Sequence, residues 1–186
     1  MELEILHWFE SLHNPILDAI MYAITSLGNA GAIWIIMALV FVTVLRKNYG
    51  KAGWSMAIGL ILSLIMCNLV MKNAFARVRP FDVDPTFENL FGIFDGIDDW
   101  SFPSGHTSAS FAAAAALFMW KKKEGIAAIV LATVIAFTRL YLTVHYPSDV
   151  LVSVVLGTLY GVAGALIVKY ISAKMAKKKA AAEETR

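Results

Sequence analysis

The chain has 186 residues, of which 59% are hydrophobic and only 16% are charged. Soluble domains average about 45–50% apolar and about 25% charged residues, so this composition argues against a water-soluble globule. The 16 basic and 14 acidic residues give a formal charge of +2, which is too small and too scattered for a nucleic-acid-binding protein. A single cysteine, Cys67, excludes an intramolecular disulfide scaffold.

Residues 1–13 predict an amphipathic helix that lies at the membrane interface. Ile5, Trp8, Phe9 and Leu12 recur at helical spacing, with charged side chains on the opposite face. No basic region precedes these apolar residues, so the segment is not interpreted as a secretory signal peptide.

The apolar stretch 15–45 is about one and a half to two times as long as a membrane-spanning helix needs to be. Gly28-Asn29-Ala30-Gly31 interrupts it near the middle, which predicts two short helices joined by a tight turn. The alternative is one long tilted helix with an internal kink. The first interpretation gives the whole chain six spans, and the second gives five.

Four further stretches predict membrane-spanning helices, at residues 52–71, 104–120, 125–144 and 150–170. We therefore predict an all-α polytopic membrane protein, with a six-helix transmembrane bundle that follows the interfacial helix. Residues 1–175 form one domain, and residues 176–186 form a polar cytoplasmic tail. Gly157, Gly161 and Gly164 predict close helix packing, either within the chain or in a dimer, and the oligomeric state is left open.

Basic residues are distributed unequally between the two ends of the predicted helices. Twelve of them share one side: Arg46, Lys47, Lys51, Lys121, Lys122, Lys123, Lys169, Lys174, Lys177, Lys178, Lys179 and Arg186. By the positive-inside rule that side is cytoplasmic, and six spans would place both termini there in a plasma-membrane protein. The predicted outer loop, residues 77–103, mixes acidic with aromatic residues. It is interpreted either as a partly ordered interfacial segment or as a solvated loop.

Polar residues cluster at the outer ends of three consecutive helices. Lys72, Arg79 and Arg139 bring more positive charge than the acids near them can balance, so the site favours an anion. Arginine forks match phosphate oxygens, and a helix that starts at Ser104-Gly105 offers backbone N–H groups to the same anion. A phosphate is therefore the expected ligand, and the residues supply no evident metal site.

Two histidines could act on that phosphate. His145 lies four residues before Asp149, and a carboxylate that pairs with one ring nitrogen leaves the other nitrogen free as a nucleophile. His106, beside the anion site, could protonate the leaving oxygen. Asp149 could instead only cap the last helix.

Several polar residues have a plainer interpretation when they are taken singly. Lys72 or Arg77 could be a snorkelling anchor at the membrane interface. His7 and His13 are expected to be hydrogen-bonded structural residues, and Asp18 a buried polar contact whose partner the sequence does not reveal.

The ordered set of polar clusters resembles the three-part signature of the type 2 phosphatidic acid phosphatase (PAP2) superfamily, over residues 50–165. The matching residues are Lys72 with Arg79-Pro80, then Pro103-Ser104-Gly105-His106, then Thr138-Arg139 with His145 and Asp149. The third motif more often begins Ser-Arg, and Thr138 also carries a hydroxyl.

The resemblance implies a six-helix membrane lipid phosphatase with its site at the outer face and no metal or other cofactor. It implies that His145 is the nucleophile that forms a phosphohistidine, Asp149 its orienting partner and His106 the general acid. The implied phosphate-binding residues are Lys72, Arg79, Ser104, Gly105 and Arg139.

The substrate stays open at this point. Undecaprenyl diphosphate, phosphatidic acid and phosphatidylglycerol phosphate each satisfy every motif. A lipid-phosphate transporter or flippase that uses the same cationic pocket is the alternative, although transport has no evident need for the pair of histidines.

Overall fold

The computed structural model describes residues 1–184, and in that range all regular secondary structure is helical. The α-helices are, in chain order, α1 (Glu2–Glu10), α2 (Pro15–Leu27), α3 (Ala32–Thr43), α4 (Arg46–Ser63), α5 (Lys72–Phe75), α6 (Pro80–Val83), α7 (Gly105–Phe118), α8 (Lys122–Tyr141) and α9 (Pro147–Glu184). A π-helical segment, Leu64–Met71, joins α4 to α5. Helix α9 runs through most of the predicted tail, and Arg186 lies outside the described residues.

Three helical stretches are long and apolar enough to cross a membrane: Arg46–Val83, Lys122–Tyr141 and Pro147–Glu183. The bent pair α2 and α3 could form a fourth span. Helix α7 has 14 residues and is therefore only about 21 Å long, less than a hydrocarbon core of about 30 Å. It lies in the middle of the bundle, where the other helices cover it. The predicted count of six spans is not confirmed.

Helices α2 and α3 follow one bent path through the bundle. A 3₁₀ turn, Asn29–Gly31, separates them where the sequence predicts a break, and the two axes are bent by 43°, far from a reversal. Asp18 in α2 contacts Tyr141 at one end of α8, and Phe41 in α3 stacks on Tyr49 near the other end of the bundle. The structure thus has the kinked single path that was the alternative to two antiparallel helices.

This path places the two termini at opposite ends of the bundle. Glu2 contacts Arg77 and Ser148 at the start of α9, whereas α9 then extends away from that end for 38 residues. The expectation that both termini share one side depended on the reversal between α2 and α3. The structure does not have that reversal, so it does not support this part of the prediction.

Small residues let the central helices approach closely. Ala112, Ala113, Ala114 and Ala116 of α7 are fully buried. A Cβ on Gly161 of α9 would lie 2.2 Å from the Ala112 carbonyl oxygen, and neighbouring glycines of α9 are equally tight: Gly157 against Ser108 and Gly164 against Ser55. The predicted close packing therefore occurs within the chain, between α9 and both α7 and α4.

The basic connections meet at the end of the bundle opposite Glu2. The Tyr49 hydroxyl donates to Glu124, and the Lys121 ammonium lies 4.7 Å from the centre of the Tyr49 ring. Lys51 and Lys169 both lie over the Trp120 ring. Residues of the two basic connections and Lys169 of α9 therefore lie at the same end of the bundle, as the sequence predicted.

The long loop is ordered and folds over the other end. Phe87 is buried with Leu6, Phe9 and Tyr146, and Phe81 stacks on Phe94 at 4.2 Å between ring centres. Further apolar residues of the loop pack against the connection between α8 and α9. Helix α1 therefore buries one apolar face in the protein, while Ile5, Trp8 and Leu12 stay exposed. Its placement at the membrane interface stays a prediction.

Candidate active site

One cavity of about 930 Å³ gathers residues from all three polar clusters. Six of the eight predicted site residues line it: Lys72, Arg79, Gly105, His106, Arg139 and His145. The other two, Ser104 and Asp149, are fully buried behind the wall of the cavity. The remaining lining is largely apolar and comes mainly from α3, α4 and the π-helical segment, with residues 96–99 of the long loop at the polar end.

Three buried cations form the polar end of this cavity. Lys72 follows the π-helical segment, a local irregularity that is frequent at functional sites. Lys72 and Arg79 both form ion pairs with Asp99 of the long loop. Arg139 Nη1 donates to Thr25 Oγ1 at 2.6 Å, and Arg139 Nε is buried without a hydrogen-bond partner in the described part of the chain. The cluster is therefore able to receive further acceptor oxygens.

His145 presents its Nε2 atom to these cations. Arg79 Nη1 lies 3.4 Å from Nε2, and because arginine has no acceptor, Nε2 faces it with a lone pair. Burial, and then the charges of Arg79 and Arg139, lower the pKa of His145 well below its ordinary value. The imidazole is thus neutral, with its proton on Nδ1 and a free pair of electrons on Nε2.

Asp149 lies beside the other ring nitrogen. Its Oδ2 is 3.6 Å from His145 Nδ1, which is longer than a hydrogen bond, and Nδ1 has no other partner among the described residues. The same oxygen accepts from Ser101 Oγ at 2.5 Å and from the Tyr146 backbone N–H at 3.0 Å. Asp149 therefore caps α9 and also faces His145, so the two interpretations offered by the sequence are compatible and not alternatives.

Arg77 has a role that the sequence interpretation missed. Its Nη1 donates to Asp149 Oδ1 at 2.5 Å and its Nη2 to Glu2 at 2.6 Å, and the guanidinium stacks on Tyr146. Arg77 thus joins α1 to the buried carboxylate and is not a snorkelling anchor. In the sequence, only its position two residues before Arg79 indicated that Arg77 could lie near the site.

The start of α7 is arranged differently from the prediction. The Ser104 backbone N–H donates to Ser153 Oγ at 2.8 Å, and the Ser104 hydroxyl accepts from Thr107, so this amide is already engaged within the protein. Gly105 has no room for a side chain, because a Cβ would lie 2.9 Å from Asn68 Oδ1.

His106 is held by a residue that the sequence treated only as a helix breaker. Its Nε2 donates to Asn29 Oδ1 at 3.0 Å, which orients the ring at the edge of the cavity. The break between α2 and α3 thus also positions a candidate catalytic side chain.

The residues that were interpreted as structural are hydrogen-bonded as expected. His7 contacts Glu10 and Asp84, and His13 Nε2 donates to the Tyr141 carbonyl at 2.8 Å. The unknown partner of Asp18 is the Tyr141 hydroxyl, which donates to it at 2.5 Å. Within residues 1–184, no group of three His, Cys, Asp or Glu side chains is placed to hold a metal ion.

Comparison with known proteins agrees with this geometry. A family model described as "PAP2 superfamily" matches residues 49–173, which include every residue of the three clusters. The chain is 27% identical to a lipid A 4'-phosphatase of Bacteroides thetaiotaomicron, over 84% of this chain and 72% of that protein. It is 29% identical to undecaprenyl-diphosphatase BcrC of Bacillus subtilis, over 81% of this chain and 75% of that protein.

A solved structure has the same fold. The crystal structure of LpxE from Aquifex aeolicus superposes with a TM-score of 0.72 and 24% identity, over 88% of this chain and 93% of that one. The similarity extends over almost the whole bundle, beyond the segment that the family model matches.

Proposed function

The chain belongs to the PAP2 superfamily and is a phosphatase, and from this premise we propose that it hydrolyses a lipid phosphate or diphosphate through a phosphohistidine on His145. The observation that carries the proposal is that one cavity has cations and histidines at one end and apolar walls along the rest. Such a cavity matches a ligand with a charged head and a hydrocarbon tail.

In the first chemical step, His145 Nε2 attacks phosphorus while the phosphate oxygens are bound by Lys72, Arg79 and Arg139. A P–N bond forms and the bond from phosphorus to the leaving oxygen breaks. His106, in its cationic form, gives a proton to that oxygen and becomes neutral. The three cations neutralise the charge that builds up on the phosphoryl oxygens, which is the main requirement of phosphoryl transfer.

In the second step, water attacks the phosphohistidine and His106 accepts its proton. The P–N bond breaks, inorganic phosphate leaves and His145 returns to its neutral form. Asp149 contributes by facing His145 Nδ1 and stabilising the positive charge that the ring carries while it is phosphorylated. Arg77 acts one step further away, because it holds Asp149 in place.

The apolar part of the cavity is proposed as the binding groove for the lipid tail. It runs between α3 and α4, from Lys72 to Trp54. These residues are separated by 18 positions, or about 27 Å at the α-helical rise. Ile35, Leu39 and Ile61 line the groove and are also exposed at the surface, so a lipid could enter sideways from the bilayer.

The depth of the groove favours a long prenyl chain. One leaflet contributes about 15 Å of a hydrocarbon core of about 30 Å, so acyl tails in the outer leaflet would fill only about half of the groove. Undecaprenyl diphosphate, on which BcrC is named as acting, is therefore the first substrate to test. Phosphatidic acid, phosphatidylglycerol phosphate and a lipid A phosphate, the last suggested by the Bacteroides relative, are the comparisons.

The site is proposed to face the outside of the plasma membrane. The basic connections around Tyr49 and Trp120 lie at the opposite end of the bundle from the cavity cations. By the positive-inside rule the basic end is cytoplasmic. On this arrangement the N terminus is extracytoplasmic and the C terminus is cytoplasmic.

The first test is phosphate release from these four lipids by the purified protein in detergent, with EDTA present. We expect His145→Ala to lower turnover about 10⁴-fold or more. The variant should keep the fold, because the His145 side chain that it removes makes no hydrogen bond with the described residues other than the 3.4 Å contact with Arg79. Base quenching of the wild-type reaction should leave labelled phosphate on the protein, and not on His145→Ala. Near wild-type release by that variant would disprove the assigned nucleophile.

A second test addresses the groove. Ala57 lies near its deep end, so Ala57→Phe should lower hydrolysis of a long prenyl diphosphate about tenfold and spare a short-chain one, because a blocked subsite affects only chains that reach it. Ala163→Phe, on a part of α9 outside the cavity, is the matched control and should not discriminate between chain lengths. An equal loss on both substrates in Ala57→Phe would argue against the groove.

A further inference from the structure

The ion pairs of Lys72 and Arg79 involve a residue that belongs to none of the predicted clusters. Asp99 lies in the long loop, just after the 3₁₀ turn Leu90–Gly96. One of its carboxylate oxygens contacts Lys72 Nζ and the other contacts Arg79 Nη2. Lys72 and Arg79 are only 5% and 4% exposed, whereas the Asp99 side chain is 57% exposed. A solvent-accessible acid thus pairs with two cations in the cavity wall.

The Asp99 carboxylate has the same chemical character as two oxygens of a phosphate group. It is anionic, it accepts from the arginine fork, and it bridges that fork to an ammonium group. Burial acts to raise the pKa of Asp99, but the hydrogen bonds and charges of Lys72 and Arg79 outweigh it and lower the pKa. The group is therefore ionised under physiological conditions.

We propose that Asp99 occupies the phosphate-binding position and competes with the substrate's phosphate for Lys72 and Arg79. This inference rests on the proposed function for the identity of the competing ligand. Both anions need the same donors, so a phosphate can bind fully only after the carboxylate has moved away.

The backbone around Asp99 allows this exchange. Arg79 Nε donates to the Asp99 carbonyl oxygen at 2.9 Å, and Arg79 Nη1 donates to the Val144 carbonyl at 2.8 Å. These bonds hold the guanidinium when the side chain of Asp99 leaves. Because that side chain is already half-exposed, it can rotate into solvent without any change in the helices.

The competition would exclude phosphates that bind the site only weakly. An internal carboxylate weakens the binding of every phosphate by the same factor, so only a ligand that also fills the apolar groove binds well. Inorganic phosphate, the product of the second chemical step, lacks a tail and is expelled more easily. Asp99 thus lowers the occupancy of the site by phosphates without a tail, without taking part in the chemical steps.

The test is the affinity of the purified protein for inorganic phosphate, measured by calorimetry and by the rise in unfolding temperature that phosphate causes. Asp99→Asn keeps the size of the side chain and removes its charge, so it should bind phosphate about tenfold more tightly. Asp95→Asn is the matched control, because Asp95 is an exposed carboxylate of the same loop that does not line the cavity. Asp99→Glu, which restores the charge, should bind phosphate about as weakly as the wild type does.

A phosphate affinity that Asp99→Asn leaves unchanged or lowers would overturn the inference. If Asp99 only shapes the site, Asp99→Asn will bind phosphate no better than Asp95→Asn, or less well. A variant that folds only when phosphate is added would support the inference, because phosphate then replaces the lost carboxylate, and a variant that phosphate does not rescue would contradict it. A gain in phosphate affinity without lipid hydrolysis in the wild type would refute the proposed function but not the role of Asp99.

Discussion

The cavity end of the molecule buries charged groups, whereas the middle of the bundle buries alanine and glycine. Lys72, Arg79, Arg139, His145 and Asp149 are all 5% exposed or less. Below them, α7 and α9 pack through backbone atoms, with no space for a Cβ at Gly157 or Gly161. The two regions are continuous, because α7 begins beside His106 and α9 begins beside Asp149.

This difference shows that the rigid packing of the molecule and the contacts that a ligand can replace lie in two different regions. Helices that touch through small residues have little freedom to move relative to each other, so they fix the starts of α7 and α9. The buried charges need partners in a medium that solvates them poorly. Those partners come largely from outside the long helices, from Asp99, Arg77, Ser101 and Glu2. Of these, Asp99 is the one that a phosphate can replace, because it pairs with cations.

Removing a charge at the cavity end should have the largest effect on stability. Arg77→Met would leave the Asp149 carboxylate buried without its cation, and breaking a buried ion pair from one side costs about 3–5 kcal/mol. We expect a large fall in unfolding temperature in detergent, together with loss of turnover, since Asp149 would no longer be fixed beside His145.

Arg46→Met at the opposite end is the matched control for Arg77→Met. Arg46 is exposed, so this variant should unfold at nearly the wild-type temperature. Equal destabilisation by the two variants would mean that the cavity end does not depend on its internal ion pairs in the way proposed.

Adding a methyl group to the central packing should have the next largest effect. In Gly161→Ala the new Cβ would meet the Ala112 carbonyl oxygen at 2.2 Å, so α7 and α9 must separate, at a cost of about 1–3 kcal/mol. The same substitution at Gly50 meets nothing closer than 3.7 Å and should stabilise α4 by about 0.5–1 kcal/mol. Thermal unfolding of both variants checks the prediction, and two shifts of the same sign would contradict it.

The sequence predicted the members of the site better than it predicted their contacts. Spacing and residue type placed eight motif residues at one depth, and six of the eight line the cavity. The roles of Asp99 and Arg77 were not predicted because they depend on how the long loop folds. The loop aromatics that pack onto Tyr146 and Val144 have no regular period from which that fold could be predicted. Ser153 and Asn29 were missed for a similar reason, since each contacts a residue far away along the chain.

The path of the N-terminal helices was also underdetermined by the sequence. Gly28-Asn29-Ala30-Gly31 predicted a break correctly, and the structure has positive φ angles at Ala30 and Gly31. A break in a helical pattern does not specify whether the chain reverses or only bends. That choice was made by contacts that hydropathy cannot show, such as Asp18 with Tyr141 and Trp34 with Ser110.

Replacing His7, which attaches α1 to the loop, should have the smallest effect on the unfolding temperature, and that effect should depend on pH. His7 lies between Asp84 of the loop and Glu10 of its own helix, and their hydrogen bonds raise its pKa above the ordinary value of 6.5. A raised pKa in the folded state means that protonated His7 contributes its stability fully below 6.5 and loses it as the pH rises through the raised value. The unfolding temperature of the wild type should therefore exceed that of His7→Gln at low pH, and the difference should close as the pH increases. A difference that is constant, or that grows with pH, would show that the charge of His7 does not hold α1 on the loop.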